Sequence, residues 1–396
     1  MKNKLLICLL CFFVFAFDVK ALDIKSSNAI LYNLNNNEVI YEKNSEERIK
    51  IASMTKIMTS IVAIENIEDL DSKIVITNKM LEGLREKNAS VVGFKVGDVV
   101  TYEDLLYGAM LPSGADATQA LAISISGSVD EFVSLMNKKA NQLNLVNTNF
   151  TNTTGLDDSD NYSTVKDVAT ILKYALSNET FKKIFQSRYY TTTNGKALVS
   201  TIEYNSLKYN LDTRHIMGAK TGMTTKAGLC LASIASHNDI NYLLVTAGAD
   251  RDSDLPLHII DGNDIYKYYF ENYNYYNLIN KGDYITSIDN KYSKNKIDII
   301  SNDEYSMYLY KSDYENIEYE YVGLNNISVF TKDNVIGKYN IILNDEIIKT
   351  IDIYKPEKIE FSIFIFMYNY LYIFIPLVGL ILVLIVLKNK FKKSEI

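Results

Sequence analysis

The chain has 396 residues, which is long enough for two or three domains with a sizeable core. Its apolar and charged fractions, 47% and 22%, are those of an ordinary globular protein, and its net charge of −7 argues against nucleic acid as a partner. It contains three histidines and no His-Glu-x-x-His motif, so the sequence indicates neither a metal site nor a cofactor.

Residues 1–21 are predicted to be a secretory signal peptide. Lys2 and Lys4 precede an apolar run over residues 5–17, which is too short to cross a bilayer comfortably. Small residues then favour cleavage after Ala21. The alternative is an uncleaved N-terminal anchor. Either way, we expect the protein to be exported.

The next 250 residues or so alternate between strand-like and helix-like patterns. A hairpin is predicted over residues 28–42, and apolar runs of strand type occupy 229–234 and 241–247. Helical spacing is found over 53–65, 102–110, 115–127, 129–143, 164–177 and 257–272. Strands at both ends with helices between them predict an α/β (α+β) fold, in which a sheet is covered by a helical layer.

The pattern changes after residue 276. Residues 277–355 are predicted to form a separate β-rich domain that serves as a stalk, followed by a linker over 356–362. Residues 363–387 are almost all apolar and long enough to form a transmembrane helix. The tail over 388–396 is basic, which predicts that it stays in the cytoplasm while the body of this single-pass protein lies outside.

Three short elements combine residue types suited to acyl transfer. Ser53 and Lys56 are three residues apart, so they share one face of a helix, where a desolvated lysine can take the serine's proton. Ser113 lies in a turn just before a predicted helix, and Lys220-Thr221-Gly222 is expected to lead into the strand at 229–234. Each element alone occurs often by chance, but the ordered trio in an exported chain is specific.

Together these elements resemble the D-alanyl-D-alanine carboxypeptidases, the low-molecular-mass penicillin-binding proteins. The resemblance covers about residues 22–270 and includes phrases around Gly93 and around Gly155. It implies that residues 22–276 form a D,D-peptidase domain with a β-lactamase/transpeptidase-like sandwich of an antiparallel sheet and helices. It also implies a serine-type carboxypeptidase that removes the terminal D-alanine from peptidoglycan stem peptides and is inhibited by β-lactam antibiotics.

The resemblance assigns a role to each element. Ser53 is implied to attack the peptide carbonyl, with Lys56 as its general base. Ser113 is implied to relay a proton toward the leaving amine. Lys220 adds positive charge near the substrate carboxylate, and Thr221 hydrogen-bonds that carboxylate.

The oxyanion hole is implied to consist of the backbone N–H groups of Ser53 and Met223. Gly222 has no side chain, which lets a substrate lie along the strand edge.

The sequence departs from the family pattern at Ala115, where an asparagine usually follows the turn serine. This departure leaves open a catalytically degenerate protein that binds penicillin or the cell wall without turnover. A second alternative on the same fold is an endopeptidase that cuts D,D cross-links. The basic residue that holds the terminal carboxylate is either Arg251 or His258, and the sequence does not choose between them.

Overall fold

The computed structural model describes residues 22–393, so the predicted signal peptide over 1–21 lies outside the described residues. The chain divides after Glu271 into two compact units. The first contains all three candidate motifs, and the second begins at Asn272. Each unit is described by itself below.

The first unit is built around a five-stranded antiparallel sheet within residues 22–271. Its strand order is β2-β1-β9-β8-β7, so β7 forms an edge, and β3–β4 and β5–β6 form small antiparallel pairs. The strands are β1 (Asn28–Asn33), β2 (Glu38–Lys43), β3 (Lys73–Val75), β4 (Val99–Thr101), β5 (Tyr189–Thr191), β6 (Ala197–Val199), β7 (Ile216–Thr224), β8 (Gly228–His237) and β9 (Ile240–Ala249).

Helix α1 is the central helix of this unit. Its residues from Thr55 to Ala63 are all buried, because α3, α4, α5, α6 and α7 pack around it. The helices are α1 (Thr55–Glu65), α2 (Asn78–Leu81), α3 (Tyr102–Met110), α4 (Ala115–Ser126), α5 (Val129–Gln142), α6 (Val165–Leu176), α7 (Glu179–Gln186), α8 (Thr201–Tyr209) and α9 (Leu257–Asn272). The buried surroundings fix the N-terminal end of α1, where the first motif lies.

The predicted sheet with a helical layer is confirmed, as are the hairpin at 28–42 and the helix at 102–110. Two local expectations were wrong. Ser53 lies in a 3₁₀ turn, Ala52–Met54, and α1 begins only at Thr55. Lys220-Thr221-Gly222 lies inside its own strand, β7, and does not lead into the apolar strand that follows. The apolar alternation typical of strands is missing there because most of β7 is buried on both faces.

The second unit is rich in strands, as predicted, and β10 already begins at Tyr273. Its sheets are β10–β13, β12–β11–β15 and β14–β16–β17. The strands are β10 (Tyr273–Ile279), β11 (Tyr284–Asn290), β12 (Ile297–Ile300), β13 (Tyr305–Tyr310), β14 (Ile317–Gly323), β15 (Asn326–Ile327), β16 (Val335–Leu343) and β17 (Glu346–Tyr354), and the helices are α10 (Lys311–Glu315), α11 (Ile363–Asn369) and α12 (Leu371–Lys393).

The apolar C-terminal segment differs from the single helix expected over 363–387. It forms two helices, because the helical backbone is interrupted at Tyr370, whose φ is −115° and ψ is 18°. Within the part of the chain that the structure describes, one helical stretch, Leu371–Lys390, is long and apolar enough to cross a membrane. A C-terminal helix of this kind fits membrane anchoring.

Candidate active site

The first motif forms a direct contact between its serine and its lysine. Lys56 Nζ lies 2.9 Å from Ser53 Oγ and donates a hydrogen bond of 2.6 Å to the carbonyl oxygen of Thr154. Burial lowers the pKa of Lys56 to about 7, and the negative charge of Asp116 opposes this shift in part. An amine with such a pKa is available in its neutral form near neutral pH, as a general base requires.

The Thr154 carbonyl, which accepts the hydrogen bond from the Lys56 amine, lies in a turn that the Asn152 side chain stabilises. Asn152 Oδ1 accepts hydrogen bonds from the backbone N–H of Thr154 at 3.1 Å and of Gly155 at 2.7 Å. It also accepts the Thr154 hydroxyl at 3.0 Å. These three bonds fix a tight turn, and the turn aims the Thr154 oxygen at the lysine.

The second motif forms a strained turn between α3 and α4. Ser113 has a φ of 65°, in the left-handed region that non-glycine residues rarely adopt. The backbone N–H of Gly114 is bonded to the carbonyl of Gly108, and that of Ala115 to the carbonyl of Ser90. Among residues 22–393 the buried Ser113 Oγ has no hydrogen-bond partner. An unpaired buried hydroxyl is costly, so it is available for a ligand.

The third motif lies on the edge strand β7. Lys220 is fully buried, and its Nζ donates to the carbonyl oxygen of Thr221 at 3.0 Å. Burial lowers the pKa of Lys220 well below its ordinary value, and the nearby charge of Lys56 lowers it further. Thr221 Oγ1 lies 2.7 Å from Thr201 Oγ1. The backbone N–H of Thr201 in turn donates a hydrogen bond to the carbonyl oxygen of Leu111, two residues before Ser113. These contacts link the second and third motifs.

Gly222 brings β7 against the turn that carries Ser53. A Cβ placed on Gly222 would lie 2.9 Å from the backbone nitrogen of Ser53 and 3.0 Å from Ala52 Cβ. A side chain at this position would therefore displace the strand from the turn. The close approach brings the outer edge of β7 beside the Ser53 N–H.

A cavity of about 740 Å³ extends from this edge. It is lined by Met223 and Thr225 of β7 and its turn, by Thr154 and Asp157, and by Arg251. The Arg251 guanidinium donates to Thr225 Oγ1 at 2.5 Å and to Asp252 at 2.9 Å. Met223 is exposed at this cavity.

The structure distinguishes between the two basic residues that the sequence left open. Arg251 lines the cavity, whereas His258 is buried at the start of α9 and is not among the lining residues. Burial lowers the pKa of His258 to about 4, so this imidazole is neutral at physiological pH. A neutral, enclosed imidazole is poorly suited to holding a carboxylate.

Ala115 is buried at the first position of α4. The next residue, Asp116, has a different structural role. The Asp116 carboxylate accepts backbone N–H groups of Val92 at 2.8 Å, Gly93 at 2.9 Å and Phe94 at 3.1 Å. It therefore holds the segment beside the Ser113 turn and does not replace the missing asparagine side chain. Its negative charge still acts on Lys56 through space.

Sequence reasoning missed two partners in the site. The Thr154 carbonyl belongs to the main chain, so no residue type signals it. Thr201, which joins the second and third motifs, begins α8, a helix that was not predicted. No hydrogen bond joins Ser113 to Lys56 or Lys220 among the residues that the structure describes, although bonded neighbours connect their segments.

Comparison with known proteins identifies the family of this chain. Residues 15–251, more than half of the chain, match the family described as D-alanyl-D-alanine carboxypeptidase. The chain belongs to this family. Residues 273–360 match the family described as the C-terminal domain of penicillin-binding protein 5. The two matches meet near the division between the two compact units.

Individual relatives of this family agree. D-alanyl-D-alanine carboxypeptidase DacF of Bacillus subtilis is 34% identical over 229 residues, which are 57% of this chain and 58% of the relative. The chain thus spans little more than half the length of that relative.

Two solved structures show the same fold. The Streptomyces K15 DD-transpeptidase has a TM-score of 0.57 and 30% identity, covering 63% of this chain and 98% of that one. Penicillin-binding protein 5 of Haemophilus influenzae has a TM-score of 0.61 and 26% identity, covering 84% and 96%.

Proposed function

We propose that this protein is a serine-type D-Ala-D-Ala carboxypeptidase that trims peptidoglycan stem peptides and is acylated by β-lactams. The observation that carries the proposal is the buried Lys56 amine, with its lowered pKa, 2.9 Å from Ser53 Oγ. The names of the relatives support the same reaction class. A nucleophile and base within hydrogen-bonding distance is the arrangement that activates a serine hydroxyl.

In the first step, Ser53 Oγ bonds to the carbonyl carbon of the penultimate D-alanine while Lys56 Nζ takes the hydroxyl proton. The backbone N–H groups of Ser53 and Met223 stabilise the oxyanion that forms. The carbon–nitrogen bond then breaks, and a proton passes through Ser113 Oγ to the leaving amine. Free D-alanine departs and leaves an acyl-Ser53 ester.

In the second step, water attacks the ester carbon and gives one proton to Lys56 Nζ. The carbon–oxygen bond to Ser53 breaks, and the proton returns to Ser53 Oγ. The shortened peptide leaves with a new carboxylate. The product acid gives up its remaining proton to solvent, so Ser53 and Lys56 return to their starting protonation states and the cycle uses no metal or organic cofactor.

Substrate binding is assigned to the edge of β7 and the cavity beside it. The edge strand can pair with an extended peptide because no further strand covers it within residues 22–271. Thr221 and the Arg251 guanidinium supply donors for the terminal carboxylate, and the Lys220 amine holds the Thr221 carbonyl behind them. Gly222 leaves the space in which the peptide lies.

The site is proposed to lie outside the cytoplasmic membrane. Helix α12 carries the apolar stretch, and Lys388 and Lys390 lie at its C-terminal end. Positive charge beside a span stays in the cytoplasm, which leaves the catalytic unit on the side where the cell wall is built.

The test is mass spectrometry of the full chain after incubation with penicillin, followed by product analysis on defined muropeptides. We expect an adduct on the Ser53 peptide, its absence in Ser53→Ala, and release of free D-alanine. Cleaved dimers without free D-alanine would identify an endopeptidase. An adduct without any product would identify a degenerate penicillin-binding protein, and no adduct would refute the acyl-serine mechanism.

A further inference from the structure

Aromatic side chains gather where the β-rich unit meets α11. Tyr292 follows β11, Phe330 lies in the turn after β15, and Phe361 and Phe366 come from the segment before the apolar helix. Ring centroids of Tyr292 lie 5.7 Å from Phe330 and 5.1 Å from Phe366, and those of Phe330 and Phe361 are 5.8 Å apart. We call these four residues and Tyr370 the aromatic cluster.

Hydrogen bonds attach α11 to the same place. The Ser362 N–H donates to the carbonyl of Tyr292 at 2.8 Å, and Asn369 Nδ2 donates to the carbonyl of Lys291 at 3.2 Å. The hydroxyls of Tyr292 and Tyr370 are 2.8 Å apart. These bonds bracket α11 at both ends, so the helix is held by the β-rich unit and is not a free linker.

Several rings of the cluster and of α11 are exposed to solvent. Phe330 is 60% exposed, Phe364 82% and Tyr368 72%, although each has a large ring. Scattered single apolar residues on a surface need no explanation, but several exposed aromatic rings within one short segment and the loop that it contacts indicate an interaction site. The patch lies immediately before Leu371, where the apolar α12 begins.

We infer that the aromatic cluster and the exposed face of α11 form a membrane-docking surface that lies in the interfacial layer of a phospholipid bilayer. We choose a bilayer as the partner because the cluster is continuous in sequence with α12. Helix α12 starts one residue after Tyr370, so a bilayer that α12 crosses has its surface beside the cluster. Tyrosine rings, which carry a polar hydroxyl on an apolar body, suit the headgroup level, and the phenylalanine rings beside them add apolar area. The inference rests on the proposed membrane anchoring by α12.

Phe330 distinguishes this docking surface from a simple helical anchor. Phe364 and Tyr368 would approach lipid under any anchoring model because they precede α12 directly. Phe330 belongs to a loop of the β-rich unit and joins the segment before α12 through its ring contacts with Phe361 and Phe366. Docking therefore ties a loop of the β-rich unit to the membrane.

The chain has no tryptophan, so single tryptophan substitutions report one position each. The test uses the full chain in phosphatidylcholine vesicles whose acyl chains carry bromine, a quencher of indole fluorescence. The variant is F330W, with F361W as a second probe of the cluster. The matched control is Y204W in the catalytic unit, because Tyr204 is also 60% exposed. V383W reports the centre of α12.

We expect F330W and F361W emission to fall at least about twofold in brominated vesicles relative to unbrominated ones, while Y204W is unchanged. Unquenched F330W and F361W beside a quenched V383W would overturn the docking surface and point to a protein as its occupant. An unquenched V383W would overturn the membrane anchoring and the inference with it. Penicillin acylation of Ser53 in the same samples tests the enzymatic proposal separately.

Discussion

Gly155 and Ala52 approach so closely that a Cβ on Gly155 would lie 1.8 Å from the Ala52 carbonyl oxygen. Both residues have positive φ, 80° at Gly155 and 45° at Ala52. The turn that carries Thr154 is thus packed directly against the turn that carries Ser53. This contact between two backbones fixes the Thr154 carbonyl relative to Ser53 and Lys56.

The variant Gly155→Ala should therefore damage both stability and acylation. We expect a loss of at least about 3 kcal/mol in the free energy of unfolding, since overpacking adds to the cost of a left-handed alanine. The matched control is Gly195→Ala, whose φ is 84° and whose added Cβ meets no atom within 4 Å. It should lose only about 1 kcal/mol. Equal losses in denaturant unfolding would contradict the contact.

Acylation by penicillin should rise with pH through about 7, the pKa of Lys56. The reactive form is the neutral amine, which is about a tenth of the population one unit below the pKa and about nine-tenths one unit above it. Stopped-flow acylation rates from pH 5.5 to 8.5 provide the measurement. Lys56→Arg should be inactive throughout, because a guanidinium stays protonated. A flat profile for the parent protein would exclude the base role.

Replacing the buried Lys220 by methionine should separate stability from activity. The folded site disfavours the lysine's proton, so the unfolded chain binds more protons and the parent's stability rises as pH increases toward the unfolded pKa of 10.5. Lys220→Met removes that dependence and should stabilise the fold by about 1 kcal/mol or more while slowing acylation strongly. Lys226→Met, at an exposed position, is the control. A clear loss of stability at pH 7 would contradict the burial cost.

Restoring an amide at position 115 should strengthen catalysis. Ala115→Asn adds the amide that the family pattern usually carries at this position, and one added hydrogen bond of about 1 kcal/mol corresponds to about a fivefold faster acylation. Ala115→Leu has a similar size without the amide and should not accelerate. If both variants respond alike, the effect is one of packing, and the amide has no role here.

Arg251 should matter for substrates with a free terminal carboxylate. For Arg251→Ala we expect KM to rise about tenfold with a peptide ending in D-Ala-D-Ala, since a hydrogen bond to a charged group contributes about 1.5 kcal/mol. The same peptide with a C-terminal amide should show no such change. His258→Ala should lower the melting temperature and leave KM unaltered. A KM effect confined to His258→Ala would reverse the assignment.

The sequence predicted those parts of the site that depend on local spacing. Ser53 and Lys56 are three residues apart, so their contact was expected from spacing, and it survives although Ser53 lies in the 3₁₀ turn that precedes α1. The choice between Arg251 and His258 depends on which face α9 buries, and that is set by tertiary packing. The strand position of Lys220 was missed because polar residues interrupt the apolar pattern where β7 is enclosed. Local patterns carry no information about such enclosure.

The lysine amine is held by Thr154 through a main-chain oxygen, an atom that every residue type supplies. Mutation at position 154 therefore leaves that acceptor in place, whatever the codon becomes. The contacts of the Lys56 amine with Ser53 and Thr154 therefore do not involve the side chain at position 115.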